Sequence, residues 1–485
     1  MALFSLSSEF NCTVETLFAY HEQAGAIDRL IPPWEPAKVA SSNDSLQVGS
    51  IVEVDNWLGP LKQRWIAEHT ALIRNELFVD QLNQSPFAKW IHSHRFKAIS
   101  ANRSSLSDEV DFELPLAPLS RIALPWAKDK LHAMFQFRHQ ITADDIAFGQ
   151  SLLPDLYRST PKRIGISGAS GLIGRRTVAL ARALGIDVVR LERTNKSAPA
   201  RWPRGVQSVS LTDWTKGTHN KSAVENLDAW IHLGGVGIAD RRWNSETKQA
   251  IRQSRTQSTS QMVSLLHQLE ALPKCFVCAS GVGAFGNRND EILSEHSSIE
   301  PAHTGDDFLA DVAREWEETA KRYADPLTHR SEKSQESEPL RVAIARFGMV
   351  LHPRDGALSK LLLPFKLGLG GPVGSGKQYW PWVHIDDAAS ILLHLAIKPN
   401  CQGIYHVTAP DVLTNKEFSN TLGRVLHRPA ILPAPSAAMR LLLGEMADSL
   451  LLSSVRATSD RLIESGYRFR FPKLDSALRN LLGLS

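Results

Sequence analysis

The chain is short of cysteine, of long apolar runs and of charge of one sign, and each shortage removes a class of function. Its 485 residues include four cysteines, Cys12, Cys275, Cys278 and Cys401. Cys275 and Cys278 make a C-x-x-C, but Phe276 and Val277 between them belong to an apolar, strand-like run, and no second Cys/His pair is near enough to complete a zinc site. The sequence therefore assigns no metal. No stretch of about twenty apolar residues is present to span a bilayer. The opening MALFSLSSEFNCTVE has neither a basic start nor a sustained apolar core, so it does not read as a secretory signal. A cytoplasmic, reducing address is the expectation. With a formal net charge of +4 and no dense Lys/Arg run, neither nucleic acid nor an anionic membrane is expected as a partner.

What is present reads as soluble globular protein, with 43% hydrophobic and 22% charged residues. The length is too great for one core, so two or three domains are expected. Up to about Asp155 the chain is richer in strand patterns than in helices. Gln47 to Trp57, Trp65 to Thr70, Glu76 to Asp80 and Trp90 to Ser100 mix β-branched, aromatic and polar residues with partial alternation. Gly59-Pro60 and Ser85-Pro86 punctuate them. Lys128 to Gln140 then carries apolar residues at helical spacing, which suggests an α+β domain over residues 1–155.

From Lys162 a different rhythm begins. Short apolar strands at Arg163 to Ser167, Asp187 to Leu191, Ala229 to Leu233, Lys274 to Ser280 and Leu340 to Arg346 alternate with helical stretches such as Leu172 to Leu184 and Ser245 to Leu269. That alternation predicts parallel β-α-β units with helices on both faces, over residues 162–485. Residues 324–339, ADPLTHRSEKSQESEP, interrupt the rhythm as a polar insertion.

The chemistry-bearing motif is IGISGASGLIG, Ile164 to Gly174. A strand runs into Gly168, Gly171 and Gly174, and a helix follows at once. Gly168 permits the tight turn, Gly171 lets backbone approach a diphosphate, and Gly174 lets the helix pack on the strand. Ala169, Ser170, Leu172 and Ile173 complete the candidate loop, and the helix start offers N–H groups and a positive dipole end. The cofactor expected is NADP(H) or NAD(H). At the end of the next strand Glu192 favours a ribose hydroxyl and hence NAD(H), whereas Arg193 favours a 2′-phosphate and hence NADP(H).

These motifs resemble the extended, sugar-nucleotide-epimerase-like branch of the short-chain dehydrogenases/reductases. IADRRW (Ile238 to Trp243), the run from Phe347 to Asp387 and LPAPSAAMRLLLGEM (Leu432 to Met446) resemble the epimerase family proteins of the cell-division-inhibitor-like type, which end in a domain of unknown function, here about residues 430–485. The resemblance implies an α/β Rossmann-type doubly wound parallel sheet with a small C-terminal α-rich substrate lobe, and NADP(H) more often than NAD(H). GPLKQRWIAEHTAL (Gly59 to Leu72), WIHSHRF (Trp90 to Phe96), DEVDFELPL (Asp108 to Leu116) and MFQFRH (Met134 to His139) resemble the helix-grip proteins related to polyketide cyclases and lipid-transfer domains. That likeness implies an α+β helix-grip domain around an apolar cavity, with Trp65, Trp90, His92 and His94 as lining candidates or as alternate core and surface positions.

Extended-branch enzymes use a Ser/Thr, a Tyr and a Lys four residues later. Carried over, the hydroxyl position falls on Gly281 beside Ser280, while Phe308 and Val312 stand in place of Tyr and Lys. Neither can shuttle a proton. The substitute acid/base candidates are Ser280, Asp307, Asp311 and His384; Asp386 and Asp387 read as helix caps. Leu233, Gly234, Gly235, Arg255, Phe347 and Gly348 are further cofactor-side candidates. Lys360, Gly370, Gly371, Ser375, Gly376 and Trp382 resemble a loop that closes over substrate. Two readings stay open: an NADP(H)-dependent oxidoreductase or epimerase acting on a small molecule, hydrophobic if the first domain captures it, or a catalytically silent cofactor-binding sensor.

Overall fold

The computed structural model describes residues 2–115, 119–158, 162–192, 201–218, 221–299, 307–325 and 340–484. Arg193 and most of the polar insertion lie outside them. Two seven-stranded sheets organise the described chain.

The first sheet is antiparallel. Strands β1 (Ala2–Phe10), β2 (Ala37–Ser42), β3 (Ile51–Leu58), β4 (Leu61–Ile73), β5 (Leu77–Gln84), β6 (Lys89–Ser100) and β7 (Arg103–Glu113) lie in the order β1-β7-β6-β5-β4-β3-β2. The alternation is clearest on β6, where Trp90, His92, His94 and Phe96 are buried, and on β7, where Ser104, Leu106, Asp108, Val110 and Phe112 are buried. A period of two sends these side chains to one face. That face curves round helix α3 (Leu124–Leu152), which follows the short helices α1 (Val14–Glu22) and α2 (Ala26–Leu30) in the chain. Phe135 of α3 stacks on Phe4 and meets His92 edge-on, closing the sheet against the helix. This is the helix-grip arrangement expected. Sequence reading recognised only the middle of α3, because its apolar positions are interrupted by buried polar ones such as His139 and Asp145.

The second sheet is parallel. Strands β8 (Arg163–Ser167), β9 (Asp187–Glu192), β10 (Val206–Ser210), β11 (Ala229–His232) and β12 (Cys275–Gly281) take the order β10-β9-β8-β11-β12, continued by Arg341–Phe347 and Gly403–Val407. Covered on both faces, its central strands are buried throughout: Ala229–His232 shows no exposed position. Helix α4 (Leu172–Ala183) and helix Ile385–Ile397 cover one side, while helices Ser245–Leu266 and Phe308–Lys321 pack together beside β12. Strand order reverses between β8 and β11, the place where a doubly wound sheet opens a crevice at its carboxyl ends. Beyond the sheet, Leu351, Trp380, Trp382, Phe418 and Leu478 form a separate apolar cluster with helices Asn415–Val425 and Leu474–Leu482, the α-rich lobe. None of the helices among the described residues is long and apolar enough to cross a membrane.

Candidate functional site

The three glycines after β8 meet different surroundings. Gly168 has φ +79°, and a Cβ there would lie 2.7 Å from the Leu233 carbonyl carbon just past β11. At Gly174 a Cβ would lie 2.3 Å from the Gly168 oxygen. Both positions are closed by protein. Gly171 is not: its nearest neighbour would be the Gly168 oxygen at 3.5 Å, and the residue is exposed. Gly171 is also the N-cap of α4 and carries no side chain to satisfy the first-turn N–H groups. An open backbone face, unclaimed N–H donors and a positive helix end fit the diphosphate of a dinucleotide.

Beside the end of β9 the fold gathers residues that lie far apart in the sequence. Glu192 ends β9 and is ion-paired with Arg190. Arg190 lies 4.6 Å from the Trp202 ring centroid, and Arg175 from the first turn of α4 lies 5.1 Å from the same ring. Burial, and then the like charge of Arg175, push the Arg190 guanidinium down to about 10. Sequence reading had chosen Glu192 and Arg193; Arg175 and Trp202 are adjacent only once the fold is formed.

Across the crevice, Leu233, Gly234 and Gly235 continue from β11. Arg255 of helix Ser245–Leu266 donates to the Val236 and Ile251 carbonyls at 3.1 Å and rests over the Trp316 ring, so its head sits against Gly235, where a Cβ would be 3.3 Å away. Phe347 closes its strand, and Gly348 abuts the Pro381 carbonyl, which a Cβ would approach to 2.7 Å.

The four acid/base candidates are placed very differently. Ser280 is buried and donates to Glu317 at 2.7 Å; Glu317 in turn receives both Nε and Nη2 of Arg346 at 2.7 Å. Its hydroxyl is spent inside the sheet. His384 is fully buried, accepts the Asp386 N–H as the N-cap of helix Ile385–Ile397, meets Asn480 at 3.2 Å and stacks on Phe471; burial drives its pKa to about 3. It is a structural cap. That corrects the expected roles of its neighbours too: Asp386 pairs with Arg29 and Arg176, and Asp387 accepts from the Arg470 and Phe471 N–H groups and from Tyr467. Asp311 is paired with Arg314 one turn on. Asp307 is different. One oxygen caps helix Phe308–Lys321 through Leu309 and Ala310, the other stands beside Gly286 in the turn after β12, and burial raises its pKa above the usual carboxylate value. Phe308 packs edge-on against Trp243, and Val312 is buried.

Among the residues expected on the substrate loop, Lys360 donates to the Ala239 carbonyl at 2.9 Å, so the IADRRW stretch and helix Gly356–Lys366 meet. Ser375 and Gly376 form a local turn in which the Ser375 hydroxyl accepts from Lys377. Trp382 is wholly buried, with its indole N–H donated to Asp411 at 3.0 Å, and belongs to the core of the lobe. In the other sheet, Trp65, Trp90, His92 and His94 all line one cavity of about 260 Å³.

Comparison with known proteins gives these features their setting. The model of the NAD dependent epimerase/dehydratase family matches residues 164–407, a domain of unknown function matches 434–481, and the polyketide cyclase/dehydrase and lipid transport model matches 11–136. The chain is 33% identical over 325 residues to the Arabidopsis thaliana epimerase family protein SDR39U1 homolog, covering 66% of this chain and 86% of that protein. It is 32% identical over 324 residues to the Bos taurus epimerase family protein SDR39U1, covering 66% and 99%. Among solved structures, a nucleoside-diphosphate sugar epimerase from Corynebacterium glutamicum aligns with 99% of this chain and 90% of its own at a TM-score of 0.74 and 24% identity, a likeness of fold. Human epimerase family protein SDR39U1, solved with NADPH, aligns with 66% of this chain and 99% of its own at a TM-score of 0.55 and 30% identity.

Proposed function

Because the chain belongs to the NAD dependent epimerase/dehydratase family, we propose that it is an NADP(H)-dependent oxidoreductase or epimerase acting at a hydroxyl or carbonyl carbon of a small molecule. The observation that carries the reading is the open backbone at Gly171 ahead of an uncapped helix start. The phosphorylated cofactor is favoured by Arg175 and Arg190 around Trp202: two guanidinium groups held this close leave positive charge that a 2′-phosphate would neutralise. The human relative, solved with NADPH, agrees with that choice.

A bound nicotinamide supplies or accepts hydride. The chain must then bind, orient and manage one proton. Leu233 to Gly235, Phe347 and Gly348 bring backbone to the crevice, and Arg255 holds the Gly235 stretch in place. Asp307 is the proton-handling group this geometry favours, because Ser280 and His384 are committed inside the fold and Phe308 and Val312 have no proton to exchange. A carboxyl whose pKa is raised by burial keeps a proton available nearer neutrality. Lys360 and Ser375 stand as substrate-side residues, and the cavity of the first sheet as the place where an apolar substrate is captured.

Absorbance at the reduced-nicotinamide band, followed with a panel of carbonyl compounds and sugar nucleotides, tests this. NADPH consumption with at least one compound, and its loss by roughly two orders of magnitude in Asp307→Asn with cofactor affinity unchanged, is the expected result. Tight NADPH binding without consumption by any compound would overturn it.

A further inference from the structure

The inner face of the antiparallel sheet carries a cluster that the dinucleotide site does not use. Register places it: His69 of β4 pairs with Asp80 of β5, Asp80 with His92 of β6, and His94 of β6 with Asp108 of β7. His69, Asp80, His92 and His94 line the cavity, and Asp108 sits behind them against His139 of α3. Asp80 Oδ2 is 3.2 Å from Nδ1 of His92 and 3.3 Å from Nε2 of His94. Among the described residues, these three are the only group of three or more His, Cys, Asp or Glu residues whose ligand atoms gather within 4.8 Å of one another.

We propose that Asp80, His92 and His94 bind a first-row divalent cation, with an open coordination position facing the cavity for an oxygen donor carried by an apolar molecule. The spacing is the first argument. A tetrahedral cation with bonds of about 2.0–2.1 Å separates its ligand atoms by roughly 3.3–3.4 Å, the edge of that tetrahedron. The Asp80–His92 and Asp80–His94 separations of 3.2 and 3.3 Å come close to it without movement of the strands. The second argument lies behind the ligands. The remaining nitrogens of both imidazoles turn to one carboxylate: Nε2 of His92 is 3.0 Å and Nδ1 of His94 is 2.6 Å from Asp108 Oδ1. The other Asp108 oxygen is held by His139 at 2.6 Å, and His139 is held by Ser8 at 2.7 Å. Asp108 hydrogen-bonds Nε2 of His92, which fixes the tautomer that leaves Nδ1 of that ring bare for a cation, and it lies in charge contact with Nδ1 of His94, whose Nε2 is hydrogen-bonded to Asp80 instead.

Charge and space agree. Half-buried Asp80 lines the cavity with buried Asp108 behind the histidines, and Arg138 is the only Lys or Arg among the described residues that line it. His69 is 8% exposed, faces the same cavity and has no hydrogen-bond partner for Nδ1 among the described residues. It stands ready to contact whatever occupies the open position. Apolar side chains such as Ile27, Leu30, Val54 and Leu82 make up much of the lining of the cavity of about 260 Å³, so the occupant joins an oxygen donor to a small apolar body. Two imidazoles and one carboxylate with room for solvent or ligand are the donor set of a cation that acts, not one that merely braces a fold.

Full-length protein stripped with chelator and titrated with zinc chloride in a calorimeter tests the site, with cobalt(II) absorption as an independent readout. The expected result is one equivalent bound and a tetrahedral cobalt spectrum. His94→Gln or Asp80→Asn should weaken binding at least 100-fold, and Asp108→Asn about 10- to 100-fold, with far-ultraviolet circular dichroism unchanged. Folded wild-type protein that takes up neither zinc nor cobalt at one equivalent would overturn the proposal, whatever the variants do. So would stoichiometric uptake that His92→Ala/His94→Ala leaves intact.

Discussion

Arg29, on the short helix α2, and Asp386, at the start of helix Ile385–Ile397, form an ion pair of 2.5 Å that is closed to solvent although 357 positions separate them in the chain. Asp386 also receives Arg176 of α4 at 2.6 Å, and Arg29 also binds Asp145 of α3 at 2.8 Å, which Arg470 joins at 2.6 Å. Helices α2 and α3 of the first domain and the helix that follows the glycine loop are thus tied through one buried network. Removing Arg29 leaves two buried carboxylates short of a partner. Arg29→Ala should cost about 3–5 kcal/mol of unfolding free energy, the range for breaking one partner of a buried pair, whereas an exposed control such as Arg74→Ala, which loses only its pair with Glu22, should cost under about 1 kcal/mol. Urea denaturation followed by tryptophan fluorescence reads both. Equal losses would mean that the network contributes nothing special.

The glycine loop separates folding from binding. Gly171→Val meets no protein atom closer than the Gly168 oxygen at 3.5 Å from its Cβ, so the variant should fold; its added methyls fill the face where a diphosphate would lie. Affinity for NADPH should fall by at least 100-fold with the melting temperature nearly unchanged. Gly174→Val puts a Cβ 2.3 Å from backbone and should instead destabilise the protein outright. Calorimetry and thermal melts on the two variants check both halves of the expectation. Undiminished NADPH affinity in Gly171→Val would remove the premise of the proposed function.

How much of this was legible follows from distance along the chain. The loop was readable because its strand, its glycines and its helix are contiguous over Arg163–Ala183 and each glycine answers a local steric demand. Ser280 is an acid/base candidate because it neighbours the carried-over hydroxyl position at Gly281, and His384 because it falls near the expected cleft, yet their hydrogen-bond partners are Glu317, 37 positions on, and Asn480, 96 positions on. Asp386 looked like a cap because its true partner, Arg29, lies near the other end of the chain. The H-x-H of β6 was visible as alternation, but its chemistry depends on Asp80 and Asp108, which only strand register brings to it. Local sequence announces backbone geometry; side-chain chemistry at a site is a property of pairing.

Arg190 offers a test of cofactor choice that leaves the loop untouched. In Arg190→Ala, Glu192 loses its ion-pair partner and Trp202 loses one of its two stacked cations. With less positive charge beside it, the Glu192 carboxylate repels a 2′-phosphate more strongly, while a 2′-hydroxyl carries no charge to repel. NADPH affinity should fall about 10- to 100-fold while NADH affinity holds or improves, and fluorescence titration of the two reduced nucleotides gives the ratio. An unchanged ratio would place the discriminating charge elsewhere on the ribose side.

His232 makes stability depend on pH in a predictable direction. It is 3% exposed at the end of β11, lies against Ser167 and Phe276, and has no carboxylate against it among the described residues. Ser167 accepts from the Trp230 indole and can give its own proton to Nδ1, an arrangement that suits the neutral ring. Burial lowers the His232 pKa from 6.5 to about 4. The unfolded chain therefore takes up a proton near pH 6.5 that the folded protein refuses until about pH 4. Folding free energy from this group is complete above pH 6.5 and drains away as pH falls toward 4, by at most about 3 kcal/mol in all. Other buried histidines with lowered pKa values, His394 and His406 among them at about 4, act in the same sense, so the wild type should lose stability steeply across that window. His232→Gln removes one proton from the linkage: between pH 6 and pH 5 its stability should fall less than the wild type's, by up to about 1.4 kcal/mol per pH unit. Urea midpoints measured at half-unit steps from pH 7 to pH 4.5 give the two slopes, and parallel curves would show that His232 is already charged in the folded protein.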